Sequence, residues 1–276
     1  MISVNTNTGA MIALQTLAHN SNELARTQAV VSSGLKVASV KDNGAIWAIA
    51  NKLGADANSY DRIIESTERA ESLLDVSIAV AEQVSSIMDR IKQISLASQQ
   101  PGLSSTTRAA FDAEYQSHFN SIWETMNKAT FDGSNMMSLM PSNARALGDA
   151  DGNNSIVILG SGDLGISVFM ASLNPGTDAG AVFAAAAVYT WASNAFNSIQ
   201  TTIARWGAGV KRMELHNDFA LKIQANLQQS VGALIEADMA KESAKLRALQ
   251  TKQELGISSL SIANSSTNFV LSLFPN

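Results

Sequence analysis

Three histidines, His19, His118 and His216, are the side chains here best suited to bind a metal or carry a proton, and their spacing argues against both. A zinc site of the HExxH kind places two imidazoles one helical turn apart so that both reach one ion; these three are scattered and read as solvated helix-surface residues. The stretch "GSGDLG" at 160–165 has glycines beside a strand-like run. It lacks both GxGxxG and a terminal GK[ST], so it reads as a hairpin turn and not as a phosphate cradle. No G-x-S-x-G elbow presents a nucleophilic serine. In "EADMAKE", Asp238 and Glu242 share a helix face, an arrangement that is usually a solvated charge pattern. The chain has no cysteine, which removes disulfides, thiolate metal sites and cysteine nucleophiles together. No catalytic constellation remains, and the reading is a protein that is not an enzyme and uses no metal or cofactor.

The 276 residues are 46% hydrophobic and only 16% charged, with the apolar share carried largely by alanine, leucine, isoleucine, valine and methionine. That mixture suits long helices in close contact. A net charge of -5 and the absence of a dense Lys/Arg cluster leave no face for a phosphate backbone, so nucleic acid is not an expected partner. The longest apolar run, Ala179 to Ala192, is shorter than a membrane span and reads as a buried helix segment. The first residues have no basic n-region or continuous apolar core of a cleaved signal, the first Lys or Arg being Arg26. Export, if it occurs, is expected by another route. The four tryptophans, Trp47, Trp123, Trp191 and Trp206, are expected in the core or at subunit contacts.

The elements follow from apolar spacing. From Asn7 to Ser33, one heptad position carries Leu17, Leu24 and Val31, a stripe too narrow to hold a lone helix. A second helix runs from after residue 44 to just before Pro101, and a third from about Thr106 to Ala129 with Phe111, Tyr115, Phe119, Ile122 and Met126 on one face. The short link "QQPGLSS" predicts that these two lie antiparallel. Residues 130–177 are turn-rich, and "SIVILGSGDLGISV" predicts two short strands around a Gly-Ser-Gly-Asp turn. Helix returns from about Asp178 to residue 235, and the last 40 residues again show helical spacing with Leu246, Leu249, Ile257 and Leu260. Between the first two helices Gly34 is placed as a helix C-cap, and Asp42-Asn43-Gly44 forms a turn run. Neither terminal helix can stand alone, so the economical arrangement pairs them. The predicted fold is mainly α, an antiparallel coiled-coil or bundle rod with a small β-hairpin region.

The segment "VVSSGLKVASVKDNGAIWAIANKL" resembles the stretch near the start of bacterial flagellins. Three more matches fall in the same order: "SVNTNTGAMIALQTL" at the start, "TFDGSNMM" at 130–137, and "EADMAKESAKLRALQTKQELGISSLSIANSSTNFVLSLF" at the end. With so little sequence between its halves, the chain is similar to the short flagellins of alphaproteobacteria.

The resemblance implies two nested layers: an inner filament-core domain of residues 1–42 with 236–276, and an outer helical domain of 43–235 with its β element at about 130–177. Gly34, Asp42, Asn43 and Gly44 would form the interlayer joint, and Leu17, Leu24, Val31, Leu246, Leu249, Ile257 and Leu260 the inner assembly seam. It further implies a secreted structural subunit, exported unfolded, that self-polymerises into the extracellular flagellar filament for motility. Its partners would be other copies or sister flagellins, an export chaperone at the C-terminal segment, and hook-associated and cap proteins, with neither nucleic acid nor membrane among them. Positions similar to those read by an animal innate receptor are Arg90, Ile94 and Glu114, although Asp89 and Ala97 stand where glutamines are expected. The rival reading is a hook-filament junction protein, which shares the terminal helices.

Overall fold

The structure is a computed structural model that describes residues 7–138, 140–161 and 185–272. Among these residues are five helices, α1 (Thr8–Ser33), α2 (Gly44–Ser98), α3 (Ser105–Lys128), α4 (Ala185–Ile235) and α5 (Met239–Ser272), and two strands, β1 (Ala144–Leu147) and β2 (Ser155–Ile158). The chain divides into two compact units. One combines Met1–Ala55 with Asn226–Asn276, and the other is Asp56–Ala225.

The Asp56–Ala225 unit holds the larger core. α3 begins at Ser104, whose hydroxyl accepts the Thr107 N–H at 3.1 Å. It buries Tyr115, Phe119, Ile122 and Met126, the stripe that its spacing predicts. These residues meet Leu74, Val84, Met88, Ile91 and Ile94 of α2 and Trp191, Ile199 and Trp206 of α4. An aromatic row runs through them, Tyr115 to Phe119 at 6.1 Å and Phe119 to Trp191 at 6.3 Å between ring centres. The α2–α3 pair is antiparallel: Ile94 and Ser98 share a small cavity with Phe111 and Tyr115, while Arg69 forms an ion pair with Asp132 beyond the far end of α3. Of the tryptophans, Trp191 and Trp206 are buried; Trp47 and Trp123 are exposed.

Small polar side chains enter this core without leaving groups unpaired, because they bond back to their own helix. Thr67 donates to the Ile63 carbonyl at 2.8 Å, Ser77 to Leu73 at 2.6 Å, and Thr202 to Ser198 at 2.7 Å. The "FDGSNMM" segment folds as a tight turn in which Phe131 and Ser134 exchange backbone bonds of 2.9 Å. Asn135 then donates to the Met126 carbonyl at 2.8 Å and accepts from the Met137 N–H at 2.8 Å, which seats Met136 and Met137 in the core.

The β element differs from the sequence expectation. β2, "SIVI", pairs with the preceding "ARAL" of β1, antiparallel with Ala144 opposite Ile158 and Leu147 opposite Ser155. The turn is therefore the loop 148–154, where Asp149 accepts the N–H groups of Asn153 and Asn154 at 3.0 and 3.4 Å. "ARAL" has no β-branched residue, so its strand character comes from burial of Ala144 and Ala146 against the helices. The second expected strand, after Gly-Ser-Gly-Asp, and the expected helix start near Asp178 lie outside the described residues.

His216 fastens the hairpin. It is half-buried, and its Nε2 donates to the Leu147 carbonyl at 3.0 Å, which corrects its reading as a solvated surface residue. Ser66 accepts the Leu147 N–H at 2.8 Å and the Trp206 indole donates to the Leu159 carbonyl at 2.9 Å. α4 also supplies Gly209, where an added Cβ would stand 3.2 to 3.3 Å from three atoms of Ile158; the bare backbone lets the hairpin seat. Gly207 has nothing within 4 Å. The two glycines should therefore behave oppositely in urea unfolding. Gly207→Ala is expected to be neutral or to stabilise by up to about 1 kcal/mol through helix propensity. Gly209→Leu is expected to destabilise by about 1–3 kcal/mol through overpacking against Ile158.

Candidate functional site

In the unit that joins the chain's two ends, α1 and α5 lie side by side and antiparallel. Asn7 donates through Nδ2 to the Ala263 carbonyl at 2.8 Å, Asn20 to the Leu249 carbonyl at 3.0 Å, and Lys245 lies 3.4 Å from Glu23. Leu17 meets Gly256 between these points. Numbers rise on one helix as they fall on the other. Asn20 is 8% exposed with its amide committed to a single carbonyl, so it sets the register of the pair.

Each seam residue named from the sequence has a place here. Leu24 and Leu249 are buried, and Leu17, Val31, Leu246 and Leu260 are half-buried. Ile257 is 55% exposed and stands outside the α1–α5 contact, where Gly256 is the residue against Leu17. The reason is helical geometry: at about 100° per residue, Ile257 comes round towards the edge of a face centred on Leu249 and Gly256.

Far from covering its apolar surface, the pair displays it. Met11, Ile12 and Leu14 of α1 are 63%, 65% and 59% exposed, and Leu255 and Ile262 of α5 are 62% and 68% exposed. On helical wheels Met11 and Ile12 point well away from Leu24, and Leu255 and Ile262 lie opposite Leu249. A groove of about 560 Å³, floored by Leu17 and Leu249, also stays open between the helices.

Beside this pair the chain makes two crossings that bind each other. Gly34 ends α1 in the left-handed region at φ 72°, where a side chain would be strained, and its N–H bonds to the Val30 carbonyl at 2.8 Å. Leu35 and Glu236 form an antiparallel bridge; Lys36 N–H donates to the Ile235 carbonyl at 2.7 Å and Ala237 N–H to the Gly34 carbonyl at 2.9 Å. Lys36 Nζ adds a bond of 2.8 Å to the Ala233 carbonyl. Asp42 gathers the loop, its Oδ2 accepting from Ala38 N, Ser39 N and Ser39 Oγ at 3.1, 2.9 and 3.1 Å. The Ser39 backbone bond, then the Ser39 hydroxyl, hold the Asp42 carboxyl below its ordinary value of 3.8. Asn43 caps α2 by accepting the Ile46 N–H at 3.1 Å. Gly44 is the first residue of α2 and is absent from the positive-φ glycines, so the interruption rests on Gly34 and on the side chains of Asp42 and Asn43.

The return crossing, 235–238, carried no candidate in the sequence reading. Its signal was Asp238: the carboxylate accepts the Ala240 and Lys241 N–H groups at 3.0 and 3.1 Å and caps α5. Asp238 is thus a helix cap and not half of an acid–base pair with Glu242. The receptor-like positions do not share a surface, because Arg90 and Glu114 are exposed while Ile94, 8% exposed, belongs to the core. Among the described residues no group of three His, Asp or Glu is placed to hold a metal ion, and no helix is long and apolar enough to cross a membrane.

A paired first and last helix, with turn motifs at the two crossings and a helical middle, defines a class of protein built from two conserved-type terminal segments. Residues 4–140 match the bacterial flagellin N-terminal helical region, and residues 190–274 the bacterial flagellin C-terminal helical region. The chain belongs to the bacterial flagellin family. It is 36% identical to Flagellin FljO of Caulobacter vibrioides, over 99% of this chain and 98% of that one. It is 29% identical to a flagellin of Brucella melitensis and 29% identical to Flagellin C of Rhizobium meliloti, each over 99% of both chains. A crystal structure of Bacillus cereus flagellin superposes with a TM-score of 0.45 at 19% identity, covering 55% of this chain and 86% of that one.

The depressed Asp42 carboxyl makes the loop sensitive to acid. A group whose folded pKa lies below its unfolded value stabilises the fold above the unfolded pKa and loses that contribution as pH falls through the folded pKa. Protection of the Ala38 and Ser39 amides should therefore fall between about pH 5 and about pH 2. In Asp42→Asn, amide-exchange spectra should show those two amides weakly protected across the whole range.

Proposed function

We propose that this flagellin is a filament subunit, exported unfolded and polymerised outside the cell into the flagellar filament that serves motility. The observation that carries the reading is the α1–α5 pair, which is apolar on its inner seam and again on its outer sides at Met11, Ile12, Leu14, Leu255 and Ile262. Burying a side chain of that size yields about 1.5–3 kcal/mol, and one subunit has no second layer to do it. A patch of this kind that meets a different surface of the next copy, through an operation that does not close, extends into a helical polymer.

In this reading residues 1–42 with 236–276 form the inner layer, residues 43–235 the outer layer, and the 34–44 segment the joint between them. Other copies and sister flagellins cover the outer stripes. An export chaperone would take the 236–276 segment and keep its apolar helix from premature assembly, and hook-associated and cap proteins would meet the ends of the polymer. The absence of cysteine and the 16% charged content suit passage of an unfolded chain through a narrow channel.

Electron microscopy of purified monomer after addition of a precipitating salt tests the proposal. The intact chain should give long filaments, and a chain lacking residues 236–276 should give none. Failure of the intact chain to polymerise would overturn the reading and favour a hook-filament junction protein. A sharper variant is Ile12→Glu combined with Leu14→Lys. Both positions are exposed, so monomer stability should change by less than about 0.5 kcal/mol per site. The subunit concentration needed for filaments should rise at least about tenfold for each ~1.4 kcal/mol of lost contact, read by sedimentation.

A further inference from the structure

The chain contains one Asn-Gly dipeptide, Asn43-Gly44, and the fold places it at the first turn of α2. We infer that Asn43 is a site of spontaneous deamidation, held in check by its own capping bond, so that its conversion records the time the joint spends open. This inference stands on the local geometry and does not require the polymer.

The chemistry needs a backbone nitrogen that can reach the Asn43 side-chain carbonyl. The Gly44 nitrogen gives its proton to solvent hydroxide and bonds to Asn43 Cγ; the Cγ–Nδ2 bond breaks, and the departing nitrogen takes a proton from water and leaves as ammonia. The resulting five-membered imide is opened by water. Attack at the side-chain carbonyl leaves isoaspartate or aspartate according to which carbon–nitrogen bond breaks, with no oxidant or further reactant. Glycine at the second position removes the side chain that would crowd the ring, and both residues are exposed to water and hydroxide. As the first residue of α2, Gly44 also has one of the N–H groups that no intrahelical carbonyl claims.

The folded cap opposes that ring closure. Asn43 Oδ1 accepts the Ile46 N–H at 3.1 Å and Asn43 O accepts the Trp47 N–H at 2.9 Å, which turn the side chain forward along the helix and hold the main chain in the cap geometry. To close the ring, Cγ must swing back onto the Gly44 nitrogen and give up the Ile46 bond. Asp42 supports the cap from the other side by anchoring residues 38 and 39. The reaction therefore proceeds through opened chains, whose population falls about tenfold for each ~1.4 kcal/mol of opening free energy. Aspartate at 43 could still cap α2. Isoaspartate inserts a methylene into the main chain at the cap and cannot keep the 3.1 Å bond in register, so the mark, once made, prevents the first turn from re-forming.

The full chain, incubated at mildly alkaline pH and digested with trypsin, should show the change in the peptide Asp42–Lys52. Mass spectrometry would read the replacement of NH2 by OH, and chromatography would separate the two acidic isomers. Expected rates are fast in urea, at least about tenfold slower in the folded chain, and intermediate in Asp42→Ala, whose loop is released. Gly44→Ala should convert far more slowly than wild type in urea, and it should still fold, since the added Cβ lies 3.6 Å from the Val40 Cγ1. Equal rates in folded and unfolded wild type would overturn the gating by the cap. No conversion at Asn43 in urea, or equal conversion by Gly44→Ala in urea, would overturn the site itself.

Discussion

The backbone bonds between residues 34–37 and 235–237 are the constraint from which the arrangement of the chain's ends follows. Lys36 and Ile235, and Ala237 and Gly34, exchange N–H and carbonyl partners 2.7 and 2.9 Å apart, so the chain leaves α1 and re-enters α5 through one small bridge. α1 and α5, on either side of that bridge, run antiparallel within touching distance. The Asn20 and Asn7 amides then select one register among the neighbours that a stripe of leucines would tolerate. A residue in the left-handed region, a carboxylate that gathers three donors and two capping side chains, Asn43 and Asp238, are spent on fewer than 20 residues of chain. That concentration of special features in two short crossings contrasts with the plain helices around them.

The Asp56–Ala225 unit solves a different problem. Its core is fed by α2, α3, α4 and a hairpin with only four residues per strand. A two-stranded ribbon of that size is not stable in isolation. It persists because helices hold it: His216 and Ser66 take the carbonyl and N–H of Leu147, Trp206 takes the Leu159 carbonyl, and Gly209 opens space for Ile158. Gly209 gives up about 1 kcal/mol of helix propensity relative to alanine for that contact. The helices thus carry local instability of their own so that a β element can dock.

The end-joining unit keeps apolar side chains on view, which is the opposite of what a monomer's core does. Met11, Ile12 and Leu255 would be expected inside if burial within one chain were the only demand. They lie outside because two helices can cover only the facing third or so of each other, and the remaining stripe needs another layer. In a flagellin that exposed stripe is the property that makes one chain unable to complete itself.

Much of this was legible in the sequence. The α3 face of Tyr115, Phe119, Ile122 and Met126, the end of α1 at Gly34, the pairing of first and last helices and the flagellin-like motifs all follow from periodicity and turn residues, because those signals act within a few residues of chain. Other features are decisions of the tertiary structure. "ARAL" becomes a strand through what covers it, His216 becomes a clamp because a hairpin carbonyl lies 3.0 Å away, and Ile94 goes inward because α3 stands over it. Ile257 leaves the seam because a Gly256–Leu17 contact sets the rotation of α5. Spacing along one helix states which residues share a face; only the neighbour that packs against it states which face is buried.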